Sequence, residues 1–202
     1  TVQALSLGKA LASWLKDRGY QVFTAPEQKT IPGTTLIRKS ADIAKMRLVV
    51  VLGGDGTYLK AVRMLDGKKI PILGVNLGSL GFLTPTRVEE LFTTVEATLA
   101  NKMELHSRAM IQVQLWRMGK KIQQTIALND VVIERGSLSQ LINIGMHCED
   151  LLVSEIKADG LIISSPTGST AYNLAAGGPL LHPEVRALAV TPVAAHSLTS
   201  RP

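Results

Sequence analysis

Leu48-Val49-Val50-Val51-Leu52-Gly53-Gly54-Asp55-Gly56-Thr57 is the stretch that decides how the rest of this sequence reads. Five apolar residues, mostly β-branched, run into a Gly-Gly-Asp-Gly turn and then into a helical stretch, Tyr58 to Leu65. A short unbroken apolar run bounded by glycine is the pattern of a strand covered on both faces, as in a parallel sheet. The glycines let backbone approach a ligand closely and allow positive φ where it is needed. A helix opening just after them points free N–H groups at the space above the strand, which favours phosphate. Asp55 sits inside that turn. A carboxylate is badly suited to neutralising phosphate and well suited to taking a proton or holding a metal. The combination points to phosphoryl transfer.

With 202 residues, of which 46% are hydrophobic and 19% charged, the chain can bury a sizeable core and does not have the composition of a disordered protein. No apolar run reaches bilayer length and the amino end lacks a basic-then-apolar leader, so no membrane association is expected. The single cysteine, Cys148, rules out a disulfide framework and fits a cytoplasmic protein. Net charge is +6 and lopsided: residues 1–100 carry 13 basic against 8 acidic side chains, residues 101–202 carry 9 against 8. A basic first half suits polyanionic small molecules such as nucleotides. Nucleic acid is the competing partner, but the basic residues are scattered, aromatics are only 4%, and no nucleic-acid motif occurs.

Outward from the organising stretch, residues 4–18 have helical periodicity with a natural stop at Gly19, and Tyr20 to Phe23 reads as a short strand. Residues 25–40 have loop character, and Asp42 to Met46 reads as a short helix. Ile70 to Val75 repeats the buried-strand pattern, weakened at Pro71, and empties into a second glycine-rich loop, Asn76 to Leu83. Arg87 to Ala100 is an amphipathic helix. After Asn101 the texture changes. Ile111 to Leu115 alternates apolar and polar, Met118 to Lys121 can turn it, and strand-like runs follow at 122–134, 141–147, 151–157, 160–165 and 187–193. This predicts two domains, an α/β domain over 1–100 and a β-rich domain over 101–202.

Three more stretches carry candidate chemistry. Asn129-Asp130, between two strand runs, offers donors and acceptors for ribose hydroxyls or a base edge, although the fragment alone fits an Asx turn better. Ala158-Asp159-Gly160 leads through a strand to the hydroxyl-rich loop Ser164 to Thr170. A short helix then ends in Gly177-Gly178-Pro179, again an arrangement for phosphate or sugar. An N-cap by Ser169 or Thr170 accounts for one of its hydroxyls but not for all five. His196, after the last strand run, fits a ligand contact or a structural histidine equally. There is no P-loop, no Gly-x-Gly-x-x-Gly, no nucleophile elbow and no metal-ligand spacing among the four histidines.

Gly53-Gly54-Asp55-Gly56-Thr57 alone is shared by several kinase families. Followed by Asn129-Asp130, Ala158-Asp159-Gly160, Thr167 to Tyr172 and Gly177-Gly178-Pro179, it closely resembles the NAD kinase family over nearly the whole chain. The loop Asn76 to Leu83 and the stretch Thr191 to Pro202 resemble that family too. The resemblance implies a Rossmann-like α/β amino-terminal domain with a parallel sheet, an all-β sandwich carboxy-terminal domain, and a ligand site between them. It implies transfer of the terminal phosphoryl of ATP, or of polyphosphate, to the 2′-hydroxyl of the adenosine ribose of NAD. A divalent cation, expected to be Mg²⁺, and a homodimer or homotetramer come with it. Carried over by position, Asp55 is the catalytic proton acceptor, while Gly53, Gly54, Gly56 and Thr57 hold the ATP phosphates. NAD binding falls to Asp55, Gly56, Asn129, Asp130, Lys157, Asp159, Thr170, Ala171, Tyr172 and Ala175.

The sequence departs from the family pattern at Asp130, where Glu is usual, at Ala175, where Ser is usual, and at Ser79, where a basic residue is common. It also lacks the strand expected before the first helix and the strands expected after Pro202, so it reads as clipped at both ends. Two other functions share parts of the pattern. A lipid or other small-alcohol kinase would share the glycine-aspartate turn but leave Asn129-Asp130 and the 167–179 loop unexplained. A catalytically silent relative would bind NAD without phosphorylating it.

Overall fold

The computed structural model describes residues 1–28, 31–136 and 140–196 of the chain. They divide into two compact units, Thr1–His106 and Ser107–Pro202.

The first unit opens with helix α1 (Val2–Asp17), whose N-terminal turn is capped by the Thr1 hydroxyl accepting from the Ala4 N–H at 3.2 Å. The chain leaves the helix through Gly19 at φ 80°. Strands β1 (Phe23–Thr24) and β2 (Thr35–Leu36) form a parallel pair, so the segment 25–40 is not all loop, and its first strand lies later than Tyr20–Phe23. Helix α2 (Ser40–Ile43) starts before Asp42 because the Asp42 carboxylate accepts the N–H groups of Arg38 and Lys39 at 3.0 and 3.1 Å. Strand β3 (Val49–Leu52) leads into helix α3 (Asp55–Leu65), and β4 (Ile72–Val75) lies parallel to β3 with Val49 opposite Ile72 and Leu52 opposite Val75. Pro71 shortens β4 at its start, although its carbonyl still accepts the Val49 N–H at 2.9 Å. A 3₁₀ turn at Val88–Glu90 precedes helix α4 (Leu91–Leu99).

The apolar run of β3 is covered on both faces. Val50 and Leu52, with Leu73 and Val75 of β4, pack against Leu11 of α1 and Leu91 and Val95 of α4. Val49 and Ile72 turn the other way, toward Ile37, Ile43 and Leu65. A strand that must bury both sets of alternating side chains has to be apolar throughout, which is why residues 48–52 show no polar interruption.

The second unit is antiparallel. Strands β5 (Ile111–Arg117) and β6 (Lys120–Ala127) form a hairpin whose turn residues, Met118 and Gly119, lie at φ 49° and 71°. Positive φ at both central positions matches the right-handed strand twist. The strand-like stretch at 122–134 forms two strands, divided where the Asn129-Asp130 pair suggested. It breaks at Leu128-Asn129, where both carbonyls turn away to accept from the Ser165 hydroxyl and N–H, and resumes as β7 (Asp130–Glu134). Strands β8 (Ile142–Cys148) and β9 (Leu151–Ala158) make a second hairpin. Strand β10 (Gly160–Ser164) is central in a three-stranded sheet between β7 and β11 (Ala189–Val193), and Pro192 is tolerated because β11 is an edge. Between β10 and β11 lie a 3₁₀ turn (Thr167–Thr170) and helix α5 (Tyr172–Ala175). Ile156, Ala158 and Leu161 form the buried centre of this unit's core, flanked by Ile144 and Ile163. Among the described residues, no helix is long and apolar enough to cross a membrane.

Leu91 has no exposed surface and sits against Leu11, Val75 and Val95. Leu91→Ala is expected to destabilise the first unit by about 3 kcal/mol through lost burial and the cavity left behind. The check is a lower urea midpoint with an unchanged m-value.

Candidate active site

Because β3 and β4 run in parallel, the loops leaving their carboxyl ends emerge side by side. One is the Gly53-Gly54 turn into α3, and the other is Asn76 to Thr84. In such sheets the carboxyl end is where ligands bind. Helix α3 starts earlier than the sequence suggests, at Asp55 rather than Tyr58, because extended Gly54 supplies the first helical acceptor: its carbonyl receives the N–H groups of Thr57 and Tyr58 at 2.9 and 3.2 Å. Asp55 therefore lies in the first helical turn, where negative charge is favoured.

Its carboxylate reaches across to the second loop. Oδ2 accepts the Phe82 N–H at 3.0 Å, and Oδ1 accepts the Leu83 N–H and the Thr84 hydroxyl, both at 3.1 Å. A carboxylate offers about four acceptor positions. Among the described residues three are occupied, which leaves capacity on Oδ2 for one further donor. Half-buried Asp55 is thus both anchored and open to a ligand hydroxyl.

The glycines serve room rather than conformation. None of Gly53, Gly54 and Gly56 has positive φ, which corrects that part of the sequence expectation. A Cβ on Gly53 would lie 2.7 Å from the Thr57 hydroxyl, whereas Gly54 and Gly56 have open space around the missing Cβ. The Gly53 N–H is committed to the sheet, donating to Val75 O at 2.9 Å. Gly54 and Gly56, both exposed, leave backbone accessible at the helix start. On the facing loop, a Cβ on Gly81 would collide with the Asp55 carboxylate, and one on Gly74 would come within 2.5 Å of Leu83 O. Thr84 and the Asn76 side chain, neither of which the sequence pattern singled out, belong to this arrangement. The available signal was the pair of parallel strands, whose outgoing loops must be neighbours.

In the second unit the structure brings Asn129 and Asp130 against the 164–170 loop. Ser165 donates its N–H to Asn129 O at 2.8 Å, Asp130 stands opposite Ser164 in the β7–β10 register, and a Cβ on Gly168 would overlap Asn129 O. No Asx turn closes at Asn129. Instead its Oδ1 is buried with no hydrogen-bond partner among the described residues, an acceptor left over after folding. Burial raises the pKa of Asp130 above its ordinary value.

The hydroxyl-rich loop is different from the sequence expectation. Ser164, Ser165, Thr167 and Ser169 are buried, and the three serine hydroxyls hold the loop together. Ser165 donates to Leu128 O and accepts the Gly168 N–H; Ser169 donates to Pro166 O at 2.7 Å and accepts the Leu181 N–H at 3.0 Å. Only Thr170 is partly exposed, and its hydroxyl reaches Thr167 O at 3.3 Å. The N-cap alternative fails as well, since the N-cap of α5 is Ala171, which makes no side-chain cap. Buried Asn173 does similar work, donating to Ser169 O and Pro179 O and accepting from Thr191.

Asp159 and Tyr172 meet at a shallow recess lined also by Glu134, Arg135, Gly160 and Val193. The Asp159 carboxylate lies 3.3 Å from the Arg135 guanidinium. Ala171 and Ala175 lie close in sequence to Tyr172, which is 42% exposed. Lys157, exposed on β9, is not among the residues lining this recess, and its carbonyl accepts the His196 N–H at 2.9 Å. Residues 197–202, part of the Thr191–Pro202 resemblance, lie outside the described residues.

Two family models match the chain: the ATP-NAD kinase N-terminal domain over residues 1–103 and the ATP-NAD kinase C-terminal domain over residues 128–202. The chain belongs to the NAD kinase family. The NAD kinase of Bdellovibrio bacteriovorus is 55% identical over 202 residues, all of this chain and 67% of the relative. That of Geobacter sp. strain M21 is 43% identical, covering 99% of this chain and 71% of the relative. Among solved structures, yeast NADH kinase complexed with NADH superposes with a TM-score of 0.88 at 27% identity, covering 98% of this chain and 64% of that one. An Archaeoglobus fulgidus NAD kinase in complex with ATP shares the fold, with a TM-score of 0.70 at 22% identity over 96% of this chain and 70% of that one. The chain thus spans about two thirds of the length of the relatives it matches. A kinase is a phosphotransferase, so the enzyme class inferred from the glycine-aspartate turn is that of the family.

The raised pKa of Asp130 carries a pH dependence. Between its ordinary and its raised value the folded state holds a proton that the unfolded state releases, so stability falls as pH rises through that interval. Asp130→Asn removes this penalty. Thermal unfolding from about pH 4 to pH 7 is expected to show the variant gaining on the native protein as pH rises.

Proposed function

We propose that this chain transfers the terminal phosphoryl of ATP, or of polyphosphate, to the 2′-hydroxyl of the adenosine ribose of NAD, giving NADP. The observation that carries the proposal is Asp55: an anchored carboxylate with acceptor capacity left on Oδ2, in the first turn of a helix that follows a parallel strand. A sugar hydroxyl is a weak nucleophile until its proton leaves. Oδ2 takes that proton, the hydroxyl oxygen bonds to the terminal phosphorus, and the bond to the bridging oxygen breaks to release ADP when ATP is the donor. Transfer of this kind depends chiefly on alignment and charge neutralisation. Backbone at Gly54 and Gly56, with the Thr57 hydroxyl and a lesser part for Gly53, receives the nucleotide phosphates.

In the second unit, Asn129 and Asp130 hold the adenosine portion of NAD. The orphaned Asn129 Oδ1 supports this, because it needs an N–H or O–H donor that the protein does not supply among the described residues. Asp159, Thr170, Ala171, Tyr172 and Ala175 complete the NAD contacts, with Lys157 beside them. The divalent cation is proposed to be Mg²⁺. Among the described residues there is no cluster of three or more acidic, histidine or cysteine side chains for a protein-built metal site. That fits Mg²⁺, which typically binds through one or two carboxylates, water and substrate phosphates. When bound, it supplies charge neutralisation at the phosphates.

The finer architecture belongs to the same proposal. A Rossmann-like first domain is supported by the parallel β3–β4 pair packed on helices, and a β-sandwich second domain by antiparallel pairing throughout. A homodimer or homotetramer in the cytoplasm completes it, supported by exposed Leu115, Trp116, Leu151 and Leu152 on the two hairpins and by the lone Cys148.

The three donors on Asp55 favour a second reading, in which the carboxylate only pins the Asn76–Thr84 loop and the protein binds NAD without turning it over. One experiment separates the two. With ATP, Mg²⁺ and NAD or NADH, the native protein is expected to form NADP or NADPH, and Asp55→Asn to lose on the order of 10²- to 10⁴-fold in turnover. NAD binding by calorimetry should stay within a few-fold of native. Near-native turnover in the variant removes Asp55 as the proton acceptor.

A further inference from the structure

Asp55 takes part in a chain of hydrogen bonds whose directions are all determined. The Asn76 side chain, only 6% exposed, accepts the Gly78 N–H on Oδ1 at 2.6 Å. Its Nδ2 must therefore be the donor end, and it donates to Ser79 O at 2.6 Å and to the Thr84 hydroxyl at 3.0 Å. A hydroxyl has one hydrogen. With an N–H already directed into the Thr84 oxygen, that hydrogen goes to Oδ1 of Asp55 at 3.1 Å. Thr84 has no exposed surface, and its β-branched side chain is stiff about χ1, so the hydroxyl cannot swing to another partner. The surrounding glycines leave no slack: a Cβ on Gly81 would lie 2.8 Å from this hydroxyl, and one on Gly74 would lie 2.9 Å from the Thr84 methyl.

We propose that Thr84 is a positioning residue for the phosphoryl transfer: its hydroxyl, oriented by Asn76, occupies Oδ1 of Asp55 and fixes Oδ2 as the oxygen that receives the substrate proton. The inference rests on the reading of Asp55 as proton acceptor. With both Oδ1 positions filled, by Leu83 N–H and the Thr84 hydroxyl, a ligand hydroxyl meets a single competent oxygen. Without the Thr84 hydroxyl, Oδ1 and Oδ2 have equal capacity, and the carboxylate divides its time between productive and unproductive partners.

The test uses Thr84→Val, which keeps the shape and removes the hydroxyl, and Thr84→Ser, which keeps the hydroxyl. Thr84→Val is expected to lower kcat by about 10- to 100-fold, the scale of a misdirected catalytic group, with the KM and calorimetric Kd for NAD within about threefold of native. Thr84→Ser should recover most of that loss, and Thr84→Val added to Asp55→Asn should cost nothing further. The proposal is overturned if Thr84→Val retains kcat, if NAD binding falls in step with kcat, or if serine fares no better than valine. Failure of the underlying reading is seen separately, as native protein without kinase activity or as Asp55→Asn with normal turnover. In that event hydrogen exchange decides the geometric part. Faster exchange at the Phe82 and Leu83 amides in Thr84→Val upholds the hold of Thr84 on the carboxylate, and unchanged exchange overturns it.

Discussion

The hydrogen bonds from the 82–84 segment to the Asp55 carboxylate are the constraint on which the rest of the first unit turns. They exist only because β3 and β4 are parallel neighbours, so that the loops leaving both strands emerge together. That pairing in turn depends on an apolar run able to face a core on either side, with Val50 and Leu52 toward α1 and α4 and Val49 toward the β1–β2 side. The glycines are the negative of the same arrangement. Gly81 is where the carboxylate passes, Gly74 is where the returning loop crosses, and Gly53 is where Thr57 folds back. Any side chain at these three positions would push apart what the hydrogen bonds draw together.

The second unit solves a different problem. It must hold an irregular segment, 164–181, against a small antiparallel sheet, and buried irregular backbone needs partners for its polar groups. Ser165, Ser169, Asn173 and Thr191 provide them, each side chain bonding to main chain or to another of the group. Among the described residues Asn129 Oδ1 is the buried side-chain polar atom left without a hydrogen-bond partner, which makes it conspicuous. The same small region also holds Asp130, a carboxylate partly withdrawn from water without a compensating cation. An unpaired acceptor and a desolvated carboxylate side by side are unfavourable for folding alone. They make sense as groups completed by a ligand that brings donors.

Much of this was legible in the sequence, and the parts that were not fail for identifiable reasons. Apolar character, continuous at 48–52 and weakened only by Pro71 at 70–75, marked two buried strands because burial on both faces leaves a one-dimensional mark. The hairpin turn was readable from Gly119, because positive φ favours glycine, although Met118 beside it takes positive φ as well. By contrast, the hydroxyl-rich loop looked like a ligand cradle because serine and threonine serve buried backbone and bound phosphate with the same chemistry, and only burial separates the two uses. The break before Asp130 was legible, as an amide-carboxylate pair between two strand runs, but its cause, Ser165, lies far along the chain and leaves no local mark. The start of α3 was placed late because Gly54 caps through its carbonyl, which every residue possesses. Thr84 escaped notice for a similar reason. A lone threonine after Gly-Phe-Leu carries no local signal, and its role appears only once a second strand brings it to Asp55.

The way Asp55 is held bears on why one carboxylate can serve a transfer that depends mainly on alignment. A free aspartate side chain at a helix start samples several rotamers and presents either oxygen, so each encounter would include a search. Here two backbone N–H groups and one buried hydroxyl, all from a single short loop, select one rotamer before any ligand arrives. The orientation is thus established by folding, and its entropy cost falls on the fold rather than on turnover. The arrangement also ties the Asp55 carboxylate to the conformation of the 76–84 loop, whose Leu80 and Phe82 side chains are exposed beside it. A ligand that moved those two apolar groups would move the donors on Asp55 with them, so occupancy of the loop and orientation of the carboxylate are physically one variable.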